Sequence, residues 1–351
     1  MRQTVKSFVV FSFFYRCNTF FATEPTVVMK QRNEYFDFLR GIAIIFVVGI
    51  HTLHFNENDS PIEIDIKNIV YQSLLCAVPI FLAISSFFLS KINFSKNGSK
   101  LHFWRKQIPK IYIPCLIWSL PMLLKGYFYN NYPLINCLAF YFMCGLGVFY
   151  FISVIIQLYL LLPYIKTFCN ISGALFFSFI SMISVFIINA IPFNNVMLSL
   201  GVSTLWIGFF ALGIYLSKNS SREYNLSFAI LLLLCGFFIN RVEVCWWEST
   251  IGRYQDYRLG SFLYSFGAIL LLFSKKVENI YHKNKSIAKY CLVYVGKISF
   301  GIYLIHYLLI PFLQFRGWGA NWIMTLLTSI LIIVIAKSLF PSFAKKYLGF
   351  Y

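Results

Sequence analysis

A transmembrane helical bundle, all-α with about ten spans and both termini cytoplasmic, is the fold class this sequence predicts. Hydrophobic residues fill 59% of the 351 positions and charged residues only 12%, and the mean hydropathy is +0.71. A soluble domain carries about 25% charged residues, so a chain this poor in charge finds its apolar surroundings in a bilayer. Apolar runs of helix-spanning length recur with no soluble-looking block between them, as expected of a single membrane domain over residues 29–351. Period-2 alternation is not sustained, and Phe228–Ile239 is too continuously apolar for a barrel strand. Backbone in hydrocarbon then has to close its hydrogen bonds within helices.

The expected spans are 36–55, 68–90, 108–127, 147–165, 172–192, 199–216, 226–240, 259–273, 298–315 and 321–340. Charge supports this order. The net charge of +18 would point to nucleic acid in a soluble protein, but Lys and Arg collect in the cytoplasmic loops of membrane proteins, and no nucleic-acid partner is expected. The first two spans bracket Glu57, Asp59, Glu63 and Asp65, an outer loop. The stretch Lys91 to Lys110, ahead of and into the third span, holds six basic residues and no acid. The fourth span is the least distinct, because 134–165 is apolar enough to hide a re-entrant segment. Short inner connections at 166–171 and 217–225 flank the fifth and sixth spans. The outer loop 241–258 balances Arg241, Arg253 and Arg258 against Glu243, Glu248 and Asp256. Before the ninth span, Lys275, Lys276, Lys283, Lys285 and Lys289 face only Glu278.

Residues 1–28 read as an extension outside the membrane domain. Phe8–Tyr15, after Arg2 and Lys6, is short for a signal-peptide core and lacks a clean cleavage site, while Met29-Lys30-Gln31-Arg32-Asn33 makes an ordinary start before the first span. The nine cysteines form no C-x-x-C pair, so neither a metal site nor a compact disulfide framework is expected. Inverted repeats of the transporter kind do not stand out.

The informative residues lie in the first span. Arg40 and His51 are eleven positions apart, about 20° from three full turns, and so share one side of a helix about 16 Å apart. Asp37, three positions before Arg40, lies on the same side and can pair with it. Polar groups in a span are costly and normally face a bundle interior or a water-filled cavity. Snorkelling to headgroups is an open alternative for Asp37 and Arg40, but it accounts poorly for His51.

Phe36-Asp37-Phe38-Leu39-Arg40-Gly41-Ile42-Ala43 through His51 resembles the first-helix phrase LDxLRGIA with Arg-x10-His that marks the membrane acyltransferases called acyltransferase 3. Three further segments resemble that family in order. They are Val78-Pro79-Ile80-Phe81-Leu82-Ala83-Ile84-Ser85-Ser86-Phe87-Phe88-Leu89, then Tyr150-Phe151-Ile152-Ser153 through Tyr159 and Pro163, and Gly296-Lys297-Ile298-Ser299-Phe300-Gly301-Ile302-Tyr303-Leu304-Ile305-His306. The departures are Phe36 for Leu, Ser86 for Gly and Tyr150 for Trp.

The resemblance implies transfer of an acyl group, usually acetyl, from cytoplasmic acyl-CoA to a hydroxyl of a cell-surface or lipid-linked polysaccharide, in a bacterial cytoplasmic membrane. Acyl-CoA would be a co-substrate, with no tightly bound cofactor and no metal. His51 is the expected general base, since neutral imidazole can take the hydroxyl proton as it attacks the thioester. Asp37 and Arg40 would fix the helix entrance or hold an anionic part of the donor. Arg105, Lys106 and Lys110 would meet donor phosphates, where the family often has an Arg-x-x-Arg pattern; positive-inside anchoring explains them equally well. Ser299, Tyr303 and His306 share one helical face as acceptor or structural contacts. Trp247 and Glu248, near Trp246, Arg253 and Tyr257, offer aromatic faces and charge for sugar contact. A glycan flippase or exporter would share the composition without needing the first-helix stripe, and a non-catalytic acyltransferase-like subunit would keep even the motifs.

Overall fold

The computed structural model describes residues 33–55, 59–96, 98–190, 201–219, 224–251, 258–313 and 317–351. Contacts gather Tyr35–Tyr351 into one compact unit; of the other, Met1–Glu34, only Asn33 and Glu34 are described. The extension 1–28, with Glu57, Arg253, Asp256 and Tyr257, lies outside the described residues.

Among the described residues there are helices and no strand. In chain order they are α1 (Glu34–Thr52), α2 (Pro61–Leu74), α3 (Ala77–Leu89), α4 (Ser99–Phe128), α5 (Leu134–Phe142) and α6 (Tyr150–Phe168). Then come α7 (Ile171–Ala190), α8 (Ile207–Lys218), α9 (Leu226–Ile251), α10 (Leu259–Phe273) and α11 (Lys275–Lys283). The last are α12 (Ile287–Lys297), α13 (Ser299–Leu309), α14 (Trp318–Leu339) and α15 (Pro341–Lys346). Short 3₁₀ turns at Gly147–Phe149, Ser203–Leu205 and Ile310–Phe312 adjoin α6, α8 and α13.

Among the described residues seven helical runs are long and apolar enough to cross a membrane: α1, α2 with α3, α4, α6 with its turn, α7, α9 and α14. Two bent pairs raise the number to nine, α10 with α11 at 56° and α12 with α13 at 79°. Helix α8, twelve residues long, rises only about 18 Å, short of a hydrocarbon core of about 30 Å. Span 259–273 coincides with α10. Elsewhere the limits shift: α1 ends at Thr52 and α13 at Leu309, short of 55 and 315, α8 begins only at Ile207, and α4 and α9 run past 108–127 and 226–240. Residues 241–251 continue α9, so Trp247 and Glu248 stand on a helix and not in a loop. Much of 274–297 is also helical, and its lysines, Lys285 excepted, stand on α11 and α12. The stretch 134–149 is a nine-residue helix followed by a break, which fits the apolar but indistinct pattern there.

The helices fall into inner and outer sets. The apolar windows of α1, α2 with α3 and α6 are 61%, 67% and 61% buried, against 17–22% for α4, α7, α9 and α14. The outer set bares large apolar side chains, such as Phe176, Phe179 and Phe186 on α7, the surface a bilayer covers. Inside, Phe36, Phe87 and Phe273 join α1, α3 and α10 at ring separations of 4.7–5.7 Å. Helix α1 also touches α12 backbone to backbone: a Cβ on Gly296 would overlap the Asp37 carbonyl, and one on Gly41 the Leu292 carbonyl. Only glycine allows that approach, as in other membrane helix pairs. On another side, Trp322 of α14 donates its indole N–H to Ile45 O at 2.8 Å.

Helix α4 carries Pro109, Pro114 and Pro121 in its interior. Proline has no N–H, so each leaves the carbonyl four residues earlier without its helical donor. Pro114 frees Lys110 O, which accepts instead from the Tyr351 hydroxyl at 3.1 Å.

Candidate functional site

The polar stripe of α1 forms as its spacing predicts. Asp37 is fully buried, and its Oδ1 accepts from Arg40 Nη1 at 2.7 Å. The guanidinium, a quarter exposed, stands 5.5 Å over the Phe88 ring of α3. Tyr159 of α6 is within electrostatic reach of Arg40. Buried charge of this kind survives in an apolar bundle only when paired.

At the other end of α1, His51 lines a cavity of about 220 Å³. Val47 and Ile50 of α1, Tyr71 of α2, Phe81 of α3, Trp206 before α8, and Tyr303 and Tyr307 of α13 share its wall. Gly147, Val148, Tyr150 and Phe151 add the broken segment that opens α6. The break has a local cause. Cys144 and Gly147 both take φ of +54°, a left-handed geometry that ends a helix, and a Cβ on Gly147 would come within 2.5 Å of Met122 Cε. The chain therefore turns inside the bundle and presents its backbone to the cavity, the setting in which irregular backbone at membrane depth is tolerated.

Helix α13 brings a second imidazole. The rings of His306 and His51 are 5.3 Å apart, centroid to centroid, and Tyr307 meets His51 edge-on at 5.8 Å. His306 Nδ1 lies 2.7 Å from Tyr303 O and 3.1 Å from Ile302 O. Carbonyls only accept, so Nδ1 carries the proton. Tyr303 donates its hydroxyl to Val148 O at 2.7 Å.

Structure thus brings His51, Tyr303 and His306 together, although they come from two distant segments. Asp37 and Arg40 sit at the opposite end of the stripe from the cavity. Ser299 is buried at the start of α13 but does not line the cavity. Arg105, Lys106 and Lys110 are exposed on the first turns of α4. Trp247 and Glu248 belong to the last turns of α9. Sequence reasoning missed Tyr71, Trp206 and Tyr307 as cavity residues. Tyr307 follows His306 directly, and that adjacency was the available signal. Among the described residues no group of three or more His, Cys, Asp or Glu is placed to hold a metal ion.

A helical membrane protein with a buried ion pair and a histidine-lined cavity on its first span is the class this arrangement defines. The family model of the acyltransferase domain matches residues 33–339, so the chain belongs to the acyltransferase 3 family and is an acyltransferase that transfers groups other than amino-acyl groups. No curated protein and no solved structure gives a significant match.

Proposed function

We propose that this acyltransferase moves an acyl group, acetyl by preference, from cytoplasmic acyl-CoA to a hydroxyl of a cell-surface or lipid-linked polysaccharide. The observation that carries the reading is His51, set on the wall of a cavity and aligned along α1 with the Asp37–Arg40 pair. The acceptor hydroxyl gives its proton to a ring nitrogen of His51 as its oxygen attacks the thioester carbonyl. The new C–O bond forms, the C–S bond breaks, and the CoA sulfur leaves with the proton from His51. Arg40 and His51 are about 16 Å apart along the helix, comparable to the length of a pantetheine arm. Arg40 near the cytoplasmic end, with Arg105, Lys106 and Lys110, would meet donor phosphates. Trp247 and Glu248 would meet sugar on the outer side.

This reading uses ten spans with both termini cytoplasmic, in a bacterial cytoplasmic membrane. The sixth of them, 199–216, takes the count from nine to ten, and α8 is its regular part. The lysines of α11 and α12 favour that orientation.

The test is acyl transfer from radiolabelled acetyl-CoA into the glycan fraction of membrane vesicles holding the full-length protein. His51→Ala should cost about 10²–10⁴-fold in rate, the scale for a positioned acid–base group, with protein abundance near wild type. Activity within a few-fold of wild type would refute His51 as the base.

A further inference from the structure

His306 is fully buried, and its two ring nitrogens are in different situations. Nδ1 is committed as a donor to the carbonyls of Tyr303 and Ile302. That leaves Nε2 as a lone-pair acceptor in the neutral ring, and it has no hydrogen-bond partner among the described residues. A buried acceptor without a donor is costly and calls for a reason. Donors nearby are few, because the Tyr303 hydroxyl is already given to Val148 O.

The neighbouring imidazole is that of His51. Two imidazoles joined edge to edge by one N–H···N bond have centroids roughly 5 Å apart, two ring radii plus a donor–acceptor separation of about 3 Å. The observed separation is 5.3 Å, with the planes inclined at 37°.

We propose that His306 is the positioning residue for His51: its Nε2 accepts a hydrogen bond from one ring nitrogen of His51. The opposite nitrogen of His51 is thereby kept unprotonated and turned toward the cavity. Neutral imidazole has two tautomers, and a general base must hold its lone pair on the side of the substrate. The backbone of α13 fixes the tautomer of His306, and His306 in turn fixes that of His51. When the hydroxyl proton arrives on the cavity-facing nitrogen, the N–H toward His306 becomes a charge-assisted and stronger bond. His306 exchanges no proton with the substrate.

The inference rests on His51 being the base, and the experiment separates the two. In membrane vesicles holding the full-length protein, with acetyl-CoA as the varied substrate, His306→Met should lower the maximal rate by about tenfold to a hundredfold, the scale seen when a partner orienting a functional histidine is lost. KM for acetyl-CoA should stay within about twofold, as expected when a group acts in the transition state only. His306→Gln, which returns an acceptor oxygen near the Nε2 position, should restore most of the rate. In a His51→Ala background, His306→Met should cost nothing further, because residues that act as a unit are not additive. An unchanged maximal rate in His306→Met beside a dead His51→Ala overturns the inference and leaves the function standing. Near-wild-type activity in His51→Ala refutes His51 as the base, and the inference falls with it. Should both His306 variants unfold in detergent, ¹⁵N-histidine spectra of the wild-type protein decide, since it has only five histidines. A ¹⁵N–¹⁵N coupling between His306 Nε2 and a nitrogen of His51 is expected, and two uncoupled rings overturn the proposal.

Discussion

The Tyr303 hydroxyl of α13 donates to Val148 O at 2.7 Å, joining the second arm of the α12–α13 bend to the turn that opens α6. Both residues line the cavity. Tyr303→Phe keeps the ring and removes the donor to the Val148 carbonyl, and a lost hydrogen bond costs about 0.5–1.5 kcal/mol net. The thermal midpoint in detergent should fall, and so should the rate of acyl transfer, because the turn that presents Val148 loses its tie. Unaltered stability would mean that water takes the place of the hydroxyl.

Gly296→Ala tests the crossing of α1 and α12. The added methyl would overlap the Asp37 carbonyl, and overpacking of this kind costs about 1–3 kcal/mol, occasionally more. Gly319, beside which a Cβ meets nothing, is the control. Gly319→Ala should leave the thermal midpoint unchanged.

Arg40→Ala removes the guanidinium that pairs with the buried Asp37 carboxylate. Breaking a buried pair from one side costs about 3–5 kcal/mol, and the low end applies because Arg40 is a quarter exposed. Asp37→Asn combined with Arg40→Gln should recover part of that loss in thermal unfolding, whether or not activity returns. Equal stability of the single and double variants would show that the pair carries no coupling.

Arg105, Lys106 and Lys110 are solvent-exposed, so their attraction for donor phosphates should be screened by salt over about 10 Å at 0.1 M. Neutralising them should raise the apparent KM for acetyl-CoA, less so in high salt, with acceptor KM unmoved. A donor KM that ignores all three substitutions would leave them as anchors of topology.

Orientation is open to thiol labelling. Glu63 on α2 and Lys96 before α4 are both exposed, so Glu63→Cys and Lys96→Cys in a background without reactive thiols should label from opposite sides of the membrane. Labelling of both from outside would refute cytoplasmic termini.

The first-span stripe was legible because a single helix converts spacing into direction: Asp37, Arg40 and His51 needed only 100° per residue. His306 was readable as sharing a face with Ser299 and Tyr303, but not as the neighbour of His51. The pairing of α1 with α13 depends on a 79° bend at Ile298, which no local pattern announces. Lysine-rich segments misled in the other direction. Arg105 and Lys106, and the lysines of α11, read as loop because charge ends an apolar run, yet charge on a solvated helix face is equally compatible. Trp247 and Glu248 read as loop on the same ground, although α9 continues through them.

Helix α1 is gauged at two heights by one elbow-shaped neighbour: Gly296 of α12 meets it at Asp37 and Gly41, and His306 of α13 meets it at His51. The elbow acts as a fixed calliper on the interval between the two ends of the stripe. One residue inserted into α1 between Gly41 and His51 would turn one end about 100° and lift it about 1.5 Å against the other. Either the glycine crossing or the imidazole pair would then be lost, whichever side chain was inserted. The family phrase therefore encodes a length as well as a set of residues, and α1 should tolerate substitution between its two gauge points far better than a change in their number.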